Sequence, residues 1–103
     1  MDEQSLSREH VAAAVADAIA ESLRRSGREV PAFSEKLRPL KDIAGFDSPL
    51  GVEVTVDLEI RFGIELPNNV FIKHVGGQPR ARTFREVVDV MVRMLREGGQ
   101  DGR

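Results

Sequence analysis

Residues 45–67, GFDSPLGVEVTVDLEIRFGIELP, decide which fold the chain can adopt. Apolar residues alternate with polar ones from residue 52 to residue 60, a pattern typical of a half-buried strand. The segment also has an apolar residue at every fourth position, which would give a helix one apolar face. Those positions are Leu50, Val54, Leu58 and Phe62. Periodicity alone therefore leaves both a strand and a helix open.

The residues at the start of this pattern favour the helix. Asp47 and Ser48 are both good N-cap residues, since their side-chain oxygens can accept hydrogen bonds from the free N–H groups of a first turn. Pro49 is tolerated in that turn, because its missing N–H would have no helical partner there. The β-branched residues each lower helix propensity only slightly, and packing can override that cost. We predict a helix over residues 48–62.

The order of motifs around this helix is similar to that of a known family. Asp47 and Ser48 open the helix, Glu53 follows in its second turn, and residues 64–67, IELP, close the segment. Aligned without a gap, this order resembles the acyl carrier proteins, in which an Asp-Ser-Leu motif opens the second helix. Pro49 stands where that family has leucine, so the motif here is Asp-Ser-Pro-Leu.

The resemblance implies a carrier and not an enzyme. It implies that Ser48, with Asp47 beside it, receives a covalent 4′-phosphopantetheine arm from coenzyme A through a phosphopantetheinyl transferase. The thiol of the arm would hold acyl groups as thioesters for fatty-acid, polyketide or related specialised biosynthesis. Acyl-loading and condensing enzymes would be the further partners. The chain itself has no cysteine, which fits a thiol supplied by the cofactor.

The resemblance also implies a partner surface on the predicted helix 48–62. Acidic side chains would meet basic patches of partner enzymes, and Val52 and Val56 correspond to positions that touch partners or line an acyl cleft. The acidic residues are Glu53, Asp57 and Glu59. The plainer interpretation is that the acids form a solvated helix face and that the crossover loop, through Phe33 or Phe46, covers the valines.

Two other functions remain open. Ser48 could itself be the N-cap, because the residue before a proline is pushed out of the helical region. The chain would then be an unmodified carrier-like module that docks a partner through the helix 48–62. A basic run near the end of the chain offers a weaker, nucleic-acid-binding alternative, since few aromatic residues accompany it. That run consists of Lys73, His74, Arg80 and Arg82.

Two further helices are predicted, over residues 7–25 and 84–97. Ser5 or Ser7 can cap the first, and its apolar residues recur at helical spacing. The second opens with Thr83 and Glu86, which fit a capping box. Gly98 and Gly99 are predicted to end it.

The connections between these helices differ in character. Residues 27–46 contain Pro31 and Pro39, which forbid a long helix, and enough apolar residues to hold an ordered crossover against the core. Residues 68–82 contain Gly76 and Gly77 between two short stretches, which indicates a short β-hairpin near residues 70–82 or an irregular loop. This hairpin would accompany or replace the short helix that carrier proteins usually have there.

The whole chain is predicted to be a single all-α domain over residues 1–103. We expect a small antiparallel bundle of three main helices with a long first loop and frayed ends at 1–5 and 98–103. With a net charge of −2 and no apolar run of membrane-spanning length, neither nucleic acid nor a membrane is an expected partner, and the predicted location is the cytoplasm. His10 and His74 are isolated, so no metal site is expected. We predict a monomer.

Overall fold

The computed structural model describes the backbone of residues 7–101 and the side chains of residues 7–97. Within this range the chain forms four helices and one two-stranded sheet. The elements are α1 (Arg8–Arg25), α2 (Pro39–Asp42), α3 (Ser48–Phe62), β1 (Ile72–Val75), β2 (Gln78–Ala81) and α4 (Phe84–Asp101). The predicted all-α class is wrong, because the fold is a small α+β fold. Ser5 and the predicted fraying of residues 1–5 lie outside the described residues.

The starts of α1 and α4 are confirmed at the predicted capping residues. Ser7 Oγ accepts a hydrogen bond from the N–H of His10 at 3.1 Å, which caps α1. At the start of α4, the N–H of Glu86 donates to Thr83 Oγ1 at 3.1 Å, and the N–H of Thr83 donates to the Glu86 carboxylate at 2.8 Å. These reciprocal bonds form the predicted capping box and satisfy two donors that a helix start leaves free.

The end of α4 lies further along the chain than predicted. Gly98 and Gly99 do not end the helix, which continues to Asp101. A glycine inside a helix costs about 1 kcal/mol relative to alanine, so it weakens a helix without terminating it. The fraying of residues 98–103 stays a prediction, and residues 102–103 lie outside the described residues.

The helix prediction for residues 48–62 is confirmed, and the strand alternative is wrong. Asp47 precedes α3 with an extended backbone, and Gly63 ends it in the left-handed conformation at φ +65°. Val54 and Leu58 are buried in the core. Leu50 and Phe62 pack against the same core with partial exposure. The four-residue spacing decides the structure because one side of the segment is buried against neighbouring helices.

The hairpin over residues 72–81 is the feature that makes the fold α+β. β1 and β2 pair antiparallel, with Ile72 opposite Ala81 and Val75 opposite Gln78. Gly76 and Gly77 form the two-residue connection, with φ of +59° and +81°. A turn with two consecutive positive φ angles suits glycine, which has no Cβ to clash. The predicted hairpin is confirmed here and is the physical reason that the all-α class is wrong.

The hydrophobic core lies between α1, α3 and α4, and α1 packs against both of the others. Residues 70 and 71, which lead into the hairpin, are also fully buried in it. The largest fully buried side chains are Phe46, Phe71, Ile19, Leu23, Leu58 and Met91. All three long helices and the base of the hairpin therefore share one core. No helix within residues 7–101 has the length and apolar character needed to cross a membrane.

The crossover over residues 27–46 is ordered and packed on the core, as predicted. Its apolar side chains either belong to the core or pack against it; they are Val30, Phe33, Leu37, Leu40, Ile43 and Phe46. The carbonyl oxygens of Leu37 and Glu35 accept the N–H groups of Phe84 and Arg85 at 2.6 and 3.0 Å. The crossover thereby satisfies free donors in the first turn of α4.

Candidate functional site

The candidate site is the start of α3, where Asp47 and Ser48 lie. Asp47 is the N-cap, and its carboxylate accepts the N–H of Leu50 at 3.2 Å. Ser48 is the first residue of the helix, and Pro49 follows it in the first turn, where its missing N–H has no helical partner. The interpretation of Ser48 as the cap is therefore wrong. Because Asp47 does the capping, the Ser48 hydroxyl is not needed for it.

The Ser48 side chain is exposed and has one polar neighbour. The side-chain amide of Asn69 donates to the Ser48 carbonyl oxygen at 3.2 Å and lies 3.4 Å from Ser48 Oγ. Asn69 is buried, and its amide oxygen accepts the N–H of Phe71 at 3.0 Å. One side chain therefore joins the first residue of α3 to the chain entering the hairpin.

A second buried bond ties the same two regions together. Thr55 Oγ1 donates to the carbonyl oxygen of Gly51 at 2.7 Å and accepts the N–H of Val70 at 3.0 Å. Residues 69–71, which we call the docking turn, are thus held against the first two turns of α3 by two polar side chains. Phe71 completes the contact, with its ring edge-on to Phe46 at 5.2 Å between centroids.

Gly51 allows the docking turn to approach α3 this closely. A Cβ at this position would lie 2.8 Å from the Asn69 side-chain nitrogen and 2.9 Å from its oxygen, closer than real contacts allow. A glycine inside a helix lowers its stability, and it often marks a place where another part of the chain packs closely. At Gly51 the Asn69 side chain packs closely on the helix. Asn69 and Gly51 were not identified from the sequence. Two features of the sequence could have indicated them. Gly51 lies inside a helical pattern, and the side chain of an asparagine such as Asn69 readily bonds backbone groups.

An anion bound at Ser48 would lie at the start of α3. The first N–H groups of a helix have no partner within it, and the helix dipole makes this end positive. In α3, Pro49 has no N–H and the N–H of Leu50 is already bonded to Asp47, so the dipole is the effect that favours an anion beside Ser48. The observed arrangement fits phosphopantetheine for this reason, since Ser48 Oγ is exposed and the cap is supplied by Asp47.

The predicted acidic partner residues on α3 have different surroundings. Glu53 is exposed, and no ion pair joins it to another of the described residues. Asp57 is paired with Arg61 at 3.2 Å. Glu59 accepts the N–H of Leu66 at 2.7 Å and so holds the chain that leaves α3. Of the three, Glu53 is the acid most available to a partner.

Arg61 joins α3 to α1 through carboxylates on both helices. Its guanidinium lies 3.1 Å from the Asp17 carboxylate and 3.2 Å from those of Glu21 and Asp57. Hydrogen bonds, the strongest to Asp57 and the next to Asp17, raise the pKa of Arg61 above the usual arginine value. This cation neutralises part of the acidic surface that the sequence predicted for partners.

One apolar row on α3 faces solvent. Val52 is half-buried, Val56 is 46% exposed and Ile60 is 76% exposed. These residues recur every four positions and form a stripe on the side of α3 away from Val54 and Leu58. The crossover does not cover them through the two predicted rings, because Phe33 stacks on Phe84 and Phe46 packs on Phe71.

The remaining predicted residues lie away from the Ser48 hydroxyl. His10 and His74 are both exposed, and the described residues contain no cluster of three His, Cys, Asp or Glu side chains suited to a metal ion. Lys73 pairs with Glu86 at 2.5 Å. Arg82 is half-buried, and this burial lowers its pKa. The basic run therefore does not form one exposed stripe.

Comparison of the chain with family models, curated proteins and solved structures finds no significant match. The function is therefore argued from the geometry of the start of α3 and from the resemblance of its motif.

Proposed function

We propose that the protein is a stand-alone acyl carrier in the cytoplasm, with Ser48 as the attachment site for 4′-phosphopantetheine. The observation that supports this most is the division of roles at the start of α3. Asp47 caps the helix through its bond to the N–H of Leu50, and this leaves the exposed hydroxyl of Ser48 available for modification. A capping serine would have its oxygen turned toward the backbone instead.

The neighbouring residues have distinct parts in this proposal. The positive end of the α3 helix dipole would favour the phosphate attached to Ser48. Asn69 would fix the first residue of α3 through the Ser48 carbonyl. The phosphopantetheine thiol, when present, would hold an acyl group as a thioester. The chain would present that group to other enzymes and catalyse no reaction itself.

Partner enzymes would contact α3 beside the modified serine. A phosphopantetheinyl transferase, acyl-loading enzymes and condensing enzymes are the partners that this function requires. Glu53 would give charge complementarity, with Asp57 and Glu59 contributing where their internal bonds allow. Val56 and Ile60 would supply apolar contact, because both are exposed. Such a surface combines orientation from charge with affinity from apolar burial.

Intact-mass measurement after incubation with coenzyme A and a broad-specificity phosphopantetheinyl transferase tests the proposal. We expect the wild type to gain one phosphopantetheine unit and Ser48→Ala to gain none. Ser34→Ala is the matched control, since Ser34 is also exposed but lies in the crossover. The control should load like the wild type. Failure of the folded wild type to load with several transferases would overturn the proposal.

The exposed row of α3 favours one second candidate, an unmodified module that docks a protein partner. A solvent-facing stripe of Val56 and Ile60 on a small domain is typical of an interaction surface. The two functions predict different results for two variants. The measurement is the binding of each variant to a partner protein that was first isolated with the wild type. Ser48→Ala would leave a docking module fully active, whereas Val56→Gln with Ile60→Gln would inactivate it. For a carrier, Ser48→Ala removes the acyl group and every activity that depends on it.

A further inference from the structure

Four positive side chains line a cavity of about 360 Å³ at the base of the hairpin. Arg38 directly precedes α2 and Lys41 lies in it, whereas Lys73 lies in β1 and Arg80 in β2. Glu86, in the first turn of α4, is the one acidic residue lining it. Neither Asp47 nor Ser48 contributes to this cavity, so it is separate from the start of α3.

The positive charges in this cavity are only partly compensated. Glu86 pairs with Lys73 at 2.5 Å, and Asp42 pairs with Arg38 at 3.6 Å. Lys41 and Arg80 form no ion pair with any side chain among residues 7–97. Two positive charges therefore remain without a counter-charge around one concave surface.

Arg80 lies across the hairpin from a second cation, Lys73, which is paired with Glu86. Arg80 lies directly opposite Lys73 in the antiparallel register, so the two side chains lie on the same face of the hairpin. Like charges at directly opposed positions of a sheet repel each other. Neither the glycine turn nor the core requires a cation at this exposed position. An unfavourable local choice of this kind is expected at functional sites.

We propose that this cavity binds the phosphate of a small anionic molecule, either a phosphate monoester or a diphosphate. A phosphate monoester carries about two negative charges at neutral pH, which matches the two uncompensated cations, and a diphosphate carries more. The planar guanidinium of Arg80 suits paired phosphate oxygens, and the ammonium of Lys41 adds a point charge. The volume lies within the range of small-ligand sites. This proposal does not rest on the carrier function.

The same surface fits nucleic acid less well. No aromatic side chain lines the cavity, so an unpaired base would find no ring on which to stack. The chain as a whole has a net charge of −2, which opposes the long-range attraction that a nucleic-acid backbone needs. The cavity therefore recognises the phosphate of a small molecule and not a base.

Amide NMR titration of the full chain with inorganic pyrophosphate tests the proposal at constant ionic strength. We expect saturable shifts concentrated at residues 38–42, 73 and 79–86. Lys41→Gln with Arg80→Gln should weaken binding by about tenfold or more, because it removes both uncompensated cations. Arg24→Gln with Arg25→Gln is the matched control, since it removes two exposed positive charges at the end of α1. The control should change binding by less than about twofold.

Three results would overturn the proposal. The first is the absence of saturation. The second is an equal loss of affinity in the control pair, which would show attraction to overall charge. The third is tighter binding of a labelled single-stranded oligonucleotide than of pyrophosphate, which would assign the surface to nucleic acid. The melting temperature of the Lys41→Gln and Arg80→Gln variant should equal or exceed that of the wild type without ligand, which separates loss of binding from loss of fold.

Discussion

Residues 52–60 and residues 70–75 are both rich in β-branched and apolar residues, yet the first stretch is helical and the second enters a strand. In α3, the Asp47 cap fixes the start, and a four-residue apolar row is buried against the core. In the hairpin, Gly76 and Gly77 reverse the chain within two residues, so that β1 pairs with β2 at once. The difference teaches that residues at the ends of a segment decide its structure when the composition allows both.

The two regions also depend on each other. The docking turn, residues 69–71, is bonded to α3 through Asn69 and Val70, and Phe71 packs on Phe46, just before α3. It joins the helix to the hairpin and holds the start of α3 where Ser48 lies. Variants at this contact measure how much the stability of the two regions depends on it.

The largest effect is expected at the base of the hairpin. Phe71 is fully buried and packs on Phe46, so Phe71→Ala should lower the free energy of unfolding by about 3–5 kcal/mol. Val75, at the other end of β1, is 52% exposed, and Val75→Ala should change it by less than about 0.5 kcal/mol. Urea denaturation measures both. Equal effects would show that the strand and not its buried base stabilises this region.

A smaller effect is expected at the polar contact between the two regions. Thr55→Val leaves the buried N–H of Val70 without its acceptor, and a buried unsatisfied donor costs about 1–3 kcal/mol. Thr55→Ser keeps the hydroxyl and is the control for the loss of the methyl group. In thermal and urea unfolding, Thr55→Ser should be clearly more stable than Thr55→Val. The reverse order would mean that side-chain packing alone holds the docking turn.

The next effect depends on pH and concerns the link between the hairpin and α4. A hydrogen bond from Lys73, followed by one from the N–H of Thr83, lowers the pKa of Glu86 below its ordinary value of 4.5. A carboxylate with a lowered pKa in the folded state stabilises the fold above the unfolded value. This contribution is lost as the pH falls through the folded value.

Glu86→Gln measures that contribution directly. The variant should be less stable than the wild type at pH 7, and the difference should shrink as the pH falls below about 4.5. Asp89→Asn, at another carboxylate of α4 paired with Arg8, is a suitable comparison outside the capping box. If the stability difference between the wild type and Glu86→Gln stayed constant from pH 7 to pH 3, the ionised Glu86 carboxylate would not be the form that stabilises the fold.

Much of the fold could be predicted from local signals. Each of these features depends on residues that are close together in the sequence. They are the serine cap of α1, the capping box of α4, the buried row of α3 and the glycine turn. The all-α class is wrong because the hairpin adds a sheet that the family resemblance does not imply. The extension of α4 past Gly98 was missed because helix ends depend on small free-energy differences.

The contacts around Ser48 could be predicted only in part. Asp47 and Ser48 stood out because capping is local. Which of the two residues caps α3 depends on backbone geometry and was not decided by the sequence. Asn69 lies 21 positions after Ser48, and its bond to that residue depends on the tertiary path of the docking turn. The cation cavity likewise requires α2 and the hairpin to come together.

We propose that the docking turn holds Ser48 in place for modification, and the initial rate of phosphopantetheine transfer tests this role most directly. Asn69→Asp keeps the acceptor for the N–H of Phe71 but loses the donor to Ser48, and Asn68→Ala is the exposed neighbouring control. We expect Asn68→Ala to match the wild type and Asn69→Asp to be slower by about tenfold or more, because small misplacements of a reacting group are costly. An Asn69→Asp rate equal to that of the wild type, with both proteins folded, would contradict the claim.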